Sequence, residues 1–136
     1  EQDSNNINAY LHLGQVLREG GNPKKALEIH KNLLIRKNLN NYEKVQLYKN
    51  LSLDYYQSNR LDKAIEYCKL IITIENFNDW AIKELISLFK EKSDWENATN
   101  YLKIYHKSKL CSYITSTKLL TKLHSFRIGL LNWFEW

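Results

Sequence analysis

The stretch GGNPKKALEIH (residues 20–30) recurs in outline as NRLDKAIEYC (59–68) and SDWENATNYL (93–102). In each copy, one or two turn-forming residues precede a helical pattern with an alanine near its start. Aligned on Ala26, Ala64 and Ala98, the copies are 38 and 34 residues apart. A period near 34 residues is typical of arrays of helix-turn-helix units. The sequence therefore predicts an all-α protein built from repeated helical pairs.

Other positions repeat with the alanine. An apolar or aromatic residue stands nine positions before it (Leu17, Tyr55, Phe89), and another stands seven positions after it (Leu33, Ile71, Tyr105). The position twelve before it is small in the first two copies, where it holds Gly14 and Ser52, but holds Ile86 in the third. This pattern resembles the tetratricopeptide repeat over roughly residues 7–110, in which a helix with a small residue packs on a helix with an alanine.

The repeat boundaries predict five segments. They are a linker (1–6), three repeats (7–40, 41–77 and 78–111) and a C-terminal capping or amphipathic tail (112–136). The predicted helices cover about 7–19, 42–57, 61–75, 78–91 and 95–107, and a further helix, the second in the chain, begins after Asn22. Gly20 and Gly21 are expected to end the first helix in a left-handed turn. Asn22 is expected to cap the second helix ahead of Pro23, and Asp94 to cap the sixth.

The charge is unevenly distributed. The chain has a net charge of +5, yet no Asp or Glu occurs from Asn97 to Phe134. That segment holds six basic residues: Lys103, Lys107, Lys109, Lys118, Lys122 and Arg127. The basic excess predicts an acidic partner or an acidic surface. We do not predict nucleic-acid binding, because the cations are sparse and the sequence shows no nucleic-acid recognition module.

The sequence offers no pattern for catalysis or for a cofactor. The four histidines are scattered, and no glycine-rich phosphate loop, nucleophile elbow or two-histidine metal helix occurs. Cys68 and Cys111 lie 43 residues apart, without the spacing of a zinc site. We expect no catalytic residues, no metal and no cofactor. His30, on the second helix, is expected to be a packed and hydrogen-bonded imidazole.

The concave groove of such an array is lined by the second, fifth, ninth and twelfth positions of each first helix. Here those positions hold amides, aromatic residues and cations, and none holds Asp or Glu: Asn8, Leu11, Gln15, Arg18, Gln46, Lys49, Leu53, Tyr56, Trp80, Lys83, Ser87 and Lys90. This composition suits an extended acidic peptide, with Tyr56 and Trp80 as anchors. Leu11 and Gln15 replace the Lys and Asn of a carboxylate clamp, so capture of chaperone tails is not expected. The alternative is a solvated face whose charges aid solubility.

The tail STKLLTKLHSFRIGLLNWFEW (116–136) places Leu119, Leu120, Leu123, Phe126 and Leu130 on one helical face. One interpretation is a capping helix that covers the last apolar face of the array. Another is an amphipathic segment that lies on an anionic membrane, and a third is self-association through its aromatic residues. Those two alternatives use Lys118, Lys122, Phe126, Arg127, Trp133, Phe134 and Trp136. The sequence does not separate the three, nor does it specify an oligomeric state.

A closer resemblance is carried by AYLHLGQVLREGGNPKKALEIHKNLL (9–34), LSLDYYQSNRLDKA (51–64) and LISLFKEKSDWENATNYLK (85–103). These stretches resemble the repeats of the lipopolysaccharide assembly protein B family, with Gly14, Arg18, His30 and Asp54 at motif positions. The resemblance implies a bacterial, non-enzymatic adaptor that joins a membrane protease to a lipid A biosynthesis enzyme. It also implies a cytoplasmic location, at the inner face of the inner membrane. A generic tetratricopeptide scaffold for another envelope or secretion complex is the alternative. The metal knuckle of that family, made of two cysteine pairs, has no counterpart in these residues.

Overall fold

The three alanine-centred stretches open on the same turn in the computed structural model, which describes residues 4–110. Five positions before each alanine, the backbone has a positive φ: Gly21 (82°), Asn59 (56°) and Ser93 (59°). The amide of the following residue then donates to a carbonyl five positions back, at 2.8 Å for Asn22 to Leu17, 2.9 Å for Arg60 to Tyr55 and 2.8 Å for Asp94 to Phe89. This pairing satisfies the last carbonyls of the preceding helix. The repeat is therefore present in the backbone as well as in the sequence.

Helices are the regular secondary structure of residues 4–110. They are α1 (Ser4–Glu19), α2 (Pro23–Leu34), α3 (Asn41–Gln57), α4 (Leu61–Ile74) and α5 (Asp79–Glu91), followed by α6 over residues 95–110. The predicted all-α class is confirmed, and the limits predicted for α1 to α5 agree with the structure to within about three residues.

The predicted starts of α2 and α6 are confirmed. Pro23 stands in the first turn of α2, and Asp94 Oδ1 accepts a hydrogen bond of 3.2 Å from the Asn97 amide. Asn22 stands at the N-cap position of α2, as predicted, but its side chain makes no capping hydrogen bond, because its backbone (φ −111°, ψ 60°) is not extended. Asn40 does cap α3, in a reciprocal pair of hydrogen bonds with Glu43.

Each helix packs on its neighbours along the chain. The contacts join α1 to α2, α2 to α3, α3 to α4 and α4 to α5, and α1 also touches α3. Ala26 and Ala64 lie at these contacts and are fully buried, and Ala98 on α6 is 6% exposed. Between α3 and α4 the approach is close enough for the Ser52 hydroxyl to donate to the Ala64 carbonyl at 3.0 Å. The small residues therefore allow one helix of a pair to lie directly against the other.

We expect Ala64→Leu to lower the free energy of unfolding by ~1–3 kcal/mol, because the larger side chain overpacks the α3–α4 contact. Urea denaturation followed by far-UV circular dichroism measures this. The matched control is Ala9→Leu on the exposed face of α1, where the change should stay within ~0.5 kcal/mol. Equal effects in the two variants would contradict the close approach.

Candidate functional site

The twelve predicted groove residues lie on α1, α3 and α5, and most of them reach the surface. Asn8, Gln15, Tyr56, Lys83, Ser87 and Lys90 are exposed, whereas Gln46, Lys49, Leu53 and Trp80 are half-buried. Leu11 and Arg18 are each only 7% exposed. Both side chains therefore offer little exposed area to a partner, and the assignment of the twelve positions to a binding surface stays a prediction.

Arg18 is buried because its charge is paired across the α1–α3 contact. Its Nη1 donates to Asp54 Oδ1 at 2.8 Å and to the Asn50 side-chain oxygen at 3.1 Å. Asp54 is fully buried, and a buried carboxylate is stable only with such partners. The guanidinium is thus a link between α1 and α3.

His30 completes this interior cluster from α2. It is fully buried, and its Nδ1–H donates to Asp54 Oδ2 at 2.5 Å, while Nε2 lies 3.3 Å from the Leu11 carbonyl oxygen. The predicted packed and hydrogen-bonded imidazole is confirmed. The ring lies against Gly14, where a Cβ would stand 2.2 Å from His30 Nε2. Glycine at position 14 therefore makes room for the imidazole.

At the other end of the surface, the cations of the groove lie against aromatic rings and carboxylates. The Lys49 ammonium stands 5.5 Å from the centroid of Trp80, which ties α3 to α5 by a cation–π contact. Lys83 pairs with Asp79 at 2.8 Å, and Lys109 of α6 pairs with the same carboxylate at 2.7 Å. One carboxylate thus serves two ammonium groups, so Asp79 offsets the charge of Lys83 only in part.

Two acidic residues, Glu84 and Glu91, lie beside the predicted groove positions, although the periodicity does not include them. The pKa of Tyr56 is raised, first by hydrogen bonding to Glu91 and then by the negative charges of Glu91 and Glu84. Burial raises the pKa of Glu84 itself. The surface between α3 and α5 thus has acidic groups beside its cations. In the sequence, each of these glutamates directly follows a predicted groove residue (Lys83 or Lys90), so this adjacency could have identified both.

A pocket of about 140 Å³ opens between α1 and α3. Its lining contains four of the predicted groove residues together with side chains that the groove pattern missed: Asn8, Leu11, His12, Gln15, Tyr42, Gln46 and Asn50. The three residues that the groove pattern missed are His12, Tyr42 and Asn50, which lie on the same two helices as the other four. The pocket is smaller than the ~300–1,000 Å³ of a typical small-molecule site.

Cys68 is a fully buried residue of the α3–α4 contact. Its thiol lies 3.1 Å from the Ser52 hydroxyl, and burial raises the pKa of Cys68 to about 12. A thiol with this pKa is protonated at neutral pH and is therefore a poor nucleophile. Within residues 4–110, no group of three or more His, Cys, Asp or Glu side chains is placed to hold a metal ion.

We expect Cys68 to resist alkylation in the folded protein and to react after denaturation in urea. The test uses the Cys111→Ser variant, so that one thiol remains, and mass spectrometry at about pH 8. Equal labelling rates with and without urea would show that Cys68 is accessible.

The raised pKa of Cys68 also predicts how stability depends on pH. Below pH ~8.5 the thiol is protonated in both the folded and the unfolded protein, so its ionisation does not change the free energy of unfolding. The free energy of unfolding should fall as the pH rises from there toward 12, because the thiol ionises first in the unfolded protein.

The candidate residues of the tail (Lys118, Lys122, Phe126, Arg127, Trp133, Phe134 and Trp136) lie outside the described residues. Their role remains the prediction made from the sequence. Among the helices of residues 4–110, none has the length and hydrophobicity needed to span a bilayer.

Four of the motif residues of the first two repeats meet in one place. Gly14, Arg18, His30 and Asp54 are separate in the sequence, but form the buried cluster that joins α1, α2 and α3. The chain is similar to lipopolysaccharide assembly protein B of Escherichia coli.

The similarity to lipopolysaccharide assembly protein B is distant. In strains K12, O6:H1 and O157:H7 the identity is 24% over 98 residues, which cover 72% of this chain and 25% of each relative. The chain thus spans about a quarter of the length of these relatives. No family model matches the sequence.

Proposed function

We propose that this chain is a non-enzymatic, tetratricopeptide-type adaptor module in bacterial lipopolysaccharide assembly. The observation that carries the proposal is the stacked array of helical pairs, in a chain with similarity to lipopolysaccharide assembly protein B. In such arrays, successive first helices form one extended surface for a protein partner. Here that surface is formed by α1, α3 and α5, and we name it the groove.

The chemistry of the groove suits a protein segment as partner. Tyr56 is 39% exposed and Trp80 is half-buried, so both can bury further area when a partner binds, as aromatic hot-spot residues do. Lys49 and Lys90 provide positive charge, since neither has a carboxylate partner among the described residues. Their position favours a segment that carries acidic side chains opposite α3 and α5.

By the same proposal, the module acts in the cytoplasm, at the inner face of the inner membrane, where it holds a membrane protease and a lipid A biosynthesis enzyme together. An adaptor of this kind needs surfaces for two partners but no catalytic group. The groove is one such surface.

Photo-crosslinking in cells tests the proposal. A crosslinking amino acid replaces Tyr56 in the full-length protein, and captured proteins are identified by mass spectrometry. We expect a membrane protease or a lipid A enzyme, and we expect the yield to fall at least about ten-fold in Lys49→Glu/Lys90→Glu. The control has the crosslinker at Asn32, which is exposed on α2.

The outcomes separate the two parts of the proposal. A different envelope or secretion protein, captured from Tyr56 but not from Asn32, would retain the adaptor and reject the role in lipopolysaccharide assembly. Equal capture from both positions would reject the groove as a binding surface.

A further inference from the structure

The pocket between α1 and α3 differs in chemistry from the rest of the groove. Its lining comes from the exposed ends of Asn8, His12, Gln15, Tyr42, Gln46 and Asn50 above the apolar side chain of Leu11. None of these residues is Asp, Glu, Lys or Arg. The cations of the groove are instead on α5 and at Lys49. The α1–α3 end of the groove is therefore polar and contains no carboxylate, ammonium or guanidinium group.

The interior cluster holds the floor of this pocket in one orientation. Arg18 donates to the side-chain oxygen of Asn50 at 3.1 Å, and the Asn50 amide nitrogen donates to the Gln46 carbonyl at 3.0 Å. The reverse orientation would place an amide N–H against the guanidinium. Because Asp54 neutralises Arg18 at 2.8 Å, the guanidinium below the pocket offers little net charge to a ligand.

Several polar groups of the pocket remain available to a ligand. The side chains of Asn8, His12, Tyr42 and Gln46 form no hydrogen bond with any described residue. A carboxamide offers N–H donors and an oxygen acceptor, which match the N–H and C=O of a peptide group. A charged group in this pocket would lose water without gaining an opposite charge.

We propose that this pocket binds an uncharged stretch of the partner through hydrogen bonds to its main chain. From Tyr42 to Gln46 to Asn50 the lining follows successive turns of α3, over about 12 Å. An extended chain covers that length with roughly three to four residues. The bound segment thus has a neutral part over α1 and α3 and acidic side chains only toward Lys49 and Lys90. This inference rests on the proposed function, since it needs a peptide in the groove.

Selection from a display library of random linear peptides tests this inference on the full chain. We expect the enriched peptides to contain an uncharged stretch beside acidic residues. For the best peptide, fluorescence polarisation should show about ten-fold or more weaker binding to Asn8→Ala/Gln46→Ala, because two hydrogen-bonding groups are removed. The control Asn32→Ala, which removes an exposed amide from α2, should bind as the wild type does.

A second variant tests the charge argument directly. Gln46→Lys should weaken binding of the same peptide, because it places a cation opposite an uncharged stretch. Tighter binding to Gln46→Lys would show that an acidic side chain enters the pocket, and would overturn the inference. Peptides that bind the Asn8→Ala/Gln46→Ala variant unchanged would overturn it as well, but would leave the adaptor function intact. If no peptide binds the wild type, the proposed groove function fails, and this inference fails with it.

Discussion

Replacing Asp54 with alanine should lower the free energy of unfolding by ~3–5 kcal/mol, the largest effect expected of a single substitution here. The carboxylate is fully buried and is hydrogen-bonded to both Arg18 and His30. Its loss leaves a buried guanidinium without an opposite charge and an imidazole without its partner. Since small domains are stable by only ~5–15 kcal/mol, this variant should lose much of its stability.

Urea denaturation of Asp54→Ala, followed by circular dichroism, measures the effect. The matched control is Asp62→Ala. The Asp62 side chain is 86% exposed, and its carboxylate pairs with Lys92. Exposed pairs contribute ~0–1 kcal/mol, so Asp62→Ala should remain close to wild type. Comparable losses in the two variants would show that the interior cluster does not hold α1, α2 and α3 together.

Gly14→Ala should destabilise the protein by ~1–3 kcal/mol, although the same change in an exposed helix stabilises by ~0.5–1 kcal/mol. The new Cβ would stand 2.2 Å from His30 Nε2 and 2.4 Å from Cε1. The imidazole cannot easily move, because it is fully buried and bonded to Asp54. The clash must therefore be relieved by shifting α1 away from α2, which costs packing throughout that pair.

A double-mutant cycle isolates the cause. In a His30→Ala background the ring is absent, so Gly14→Ala should be neutral or stabilising by up to ~1 kcal/mol. The measurement is the difference between the two effects of Gly14→Ala, obtained by thermal or urea unfolding. An equal loss in both backgrounds would mean that position 14 is sensitive for a reason other than His30.

The interior cluster also connects stability to the proposed binding surface. Asp54 neutralises Arg18, and Arg18 orients Asn50 at the floor of the pocket. Side chains at motif positions thus act below the surface, while the residues available to a partner lie one layer above them. Arg18 therefore occupies a predicted groove position in the repeat pattern, while its side chain holds α1 and α3 together.

The sequence by itself determined the helical pairs and their turns. Both are local: glycine at position 21 permits a positive φ, Pro23 suits a first helical turn, and the repeated alanines mark the contact faces. Periodicity also identified the three first helices whose exposed side chains form the proposed groove. Even the packed state of His30 could be predicted, since it stands where the other copies hold apolar residues.

Only the tertiary structure decided which groove positions remain accessible and what charge they carry. The burial of Arg18 depends on Asp54, 36 residues further along the chain. Lys83 shares the carboxylate of Asp79 with Lys109, which comes from a different helix, and the pocket depends on how close α1 lies to α3. A repeat pattern specifies the face of each helix that is buried. It does not specify the rotation and spacing of neighbouring helices, and electrostatic pairing falls off over a few ångströms, so it is set by those two quantities.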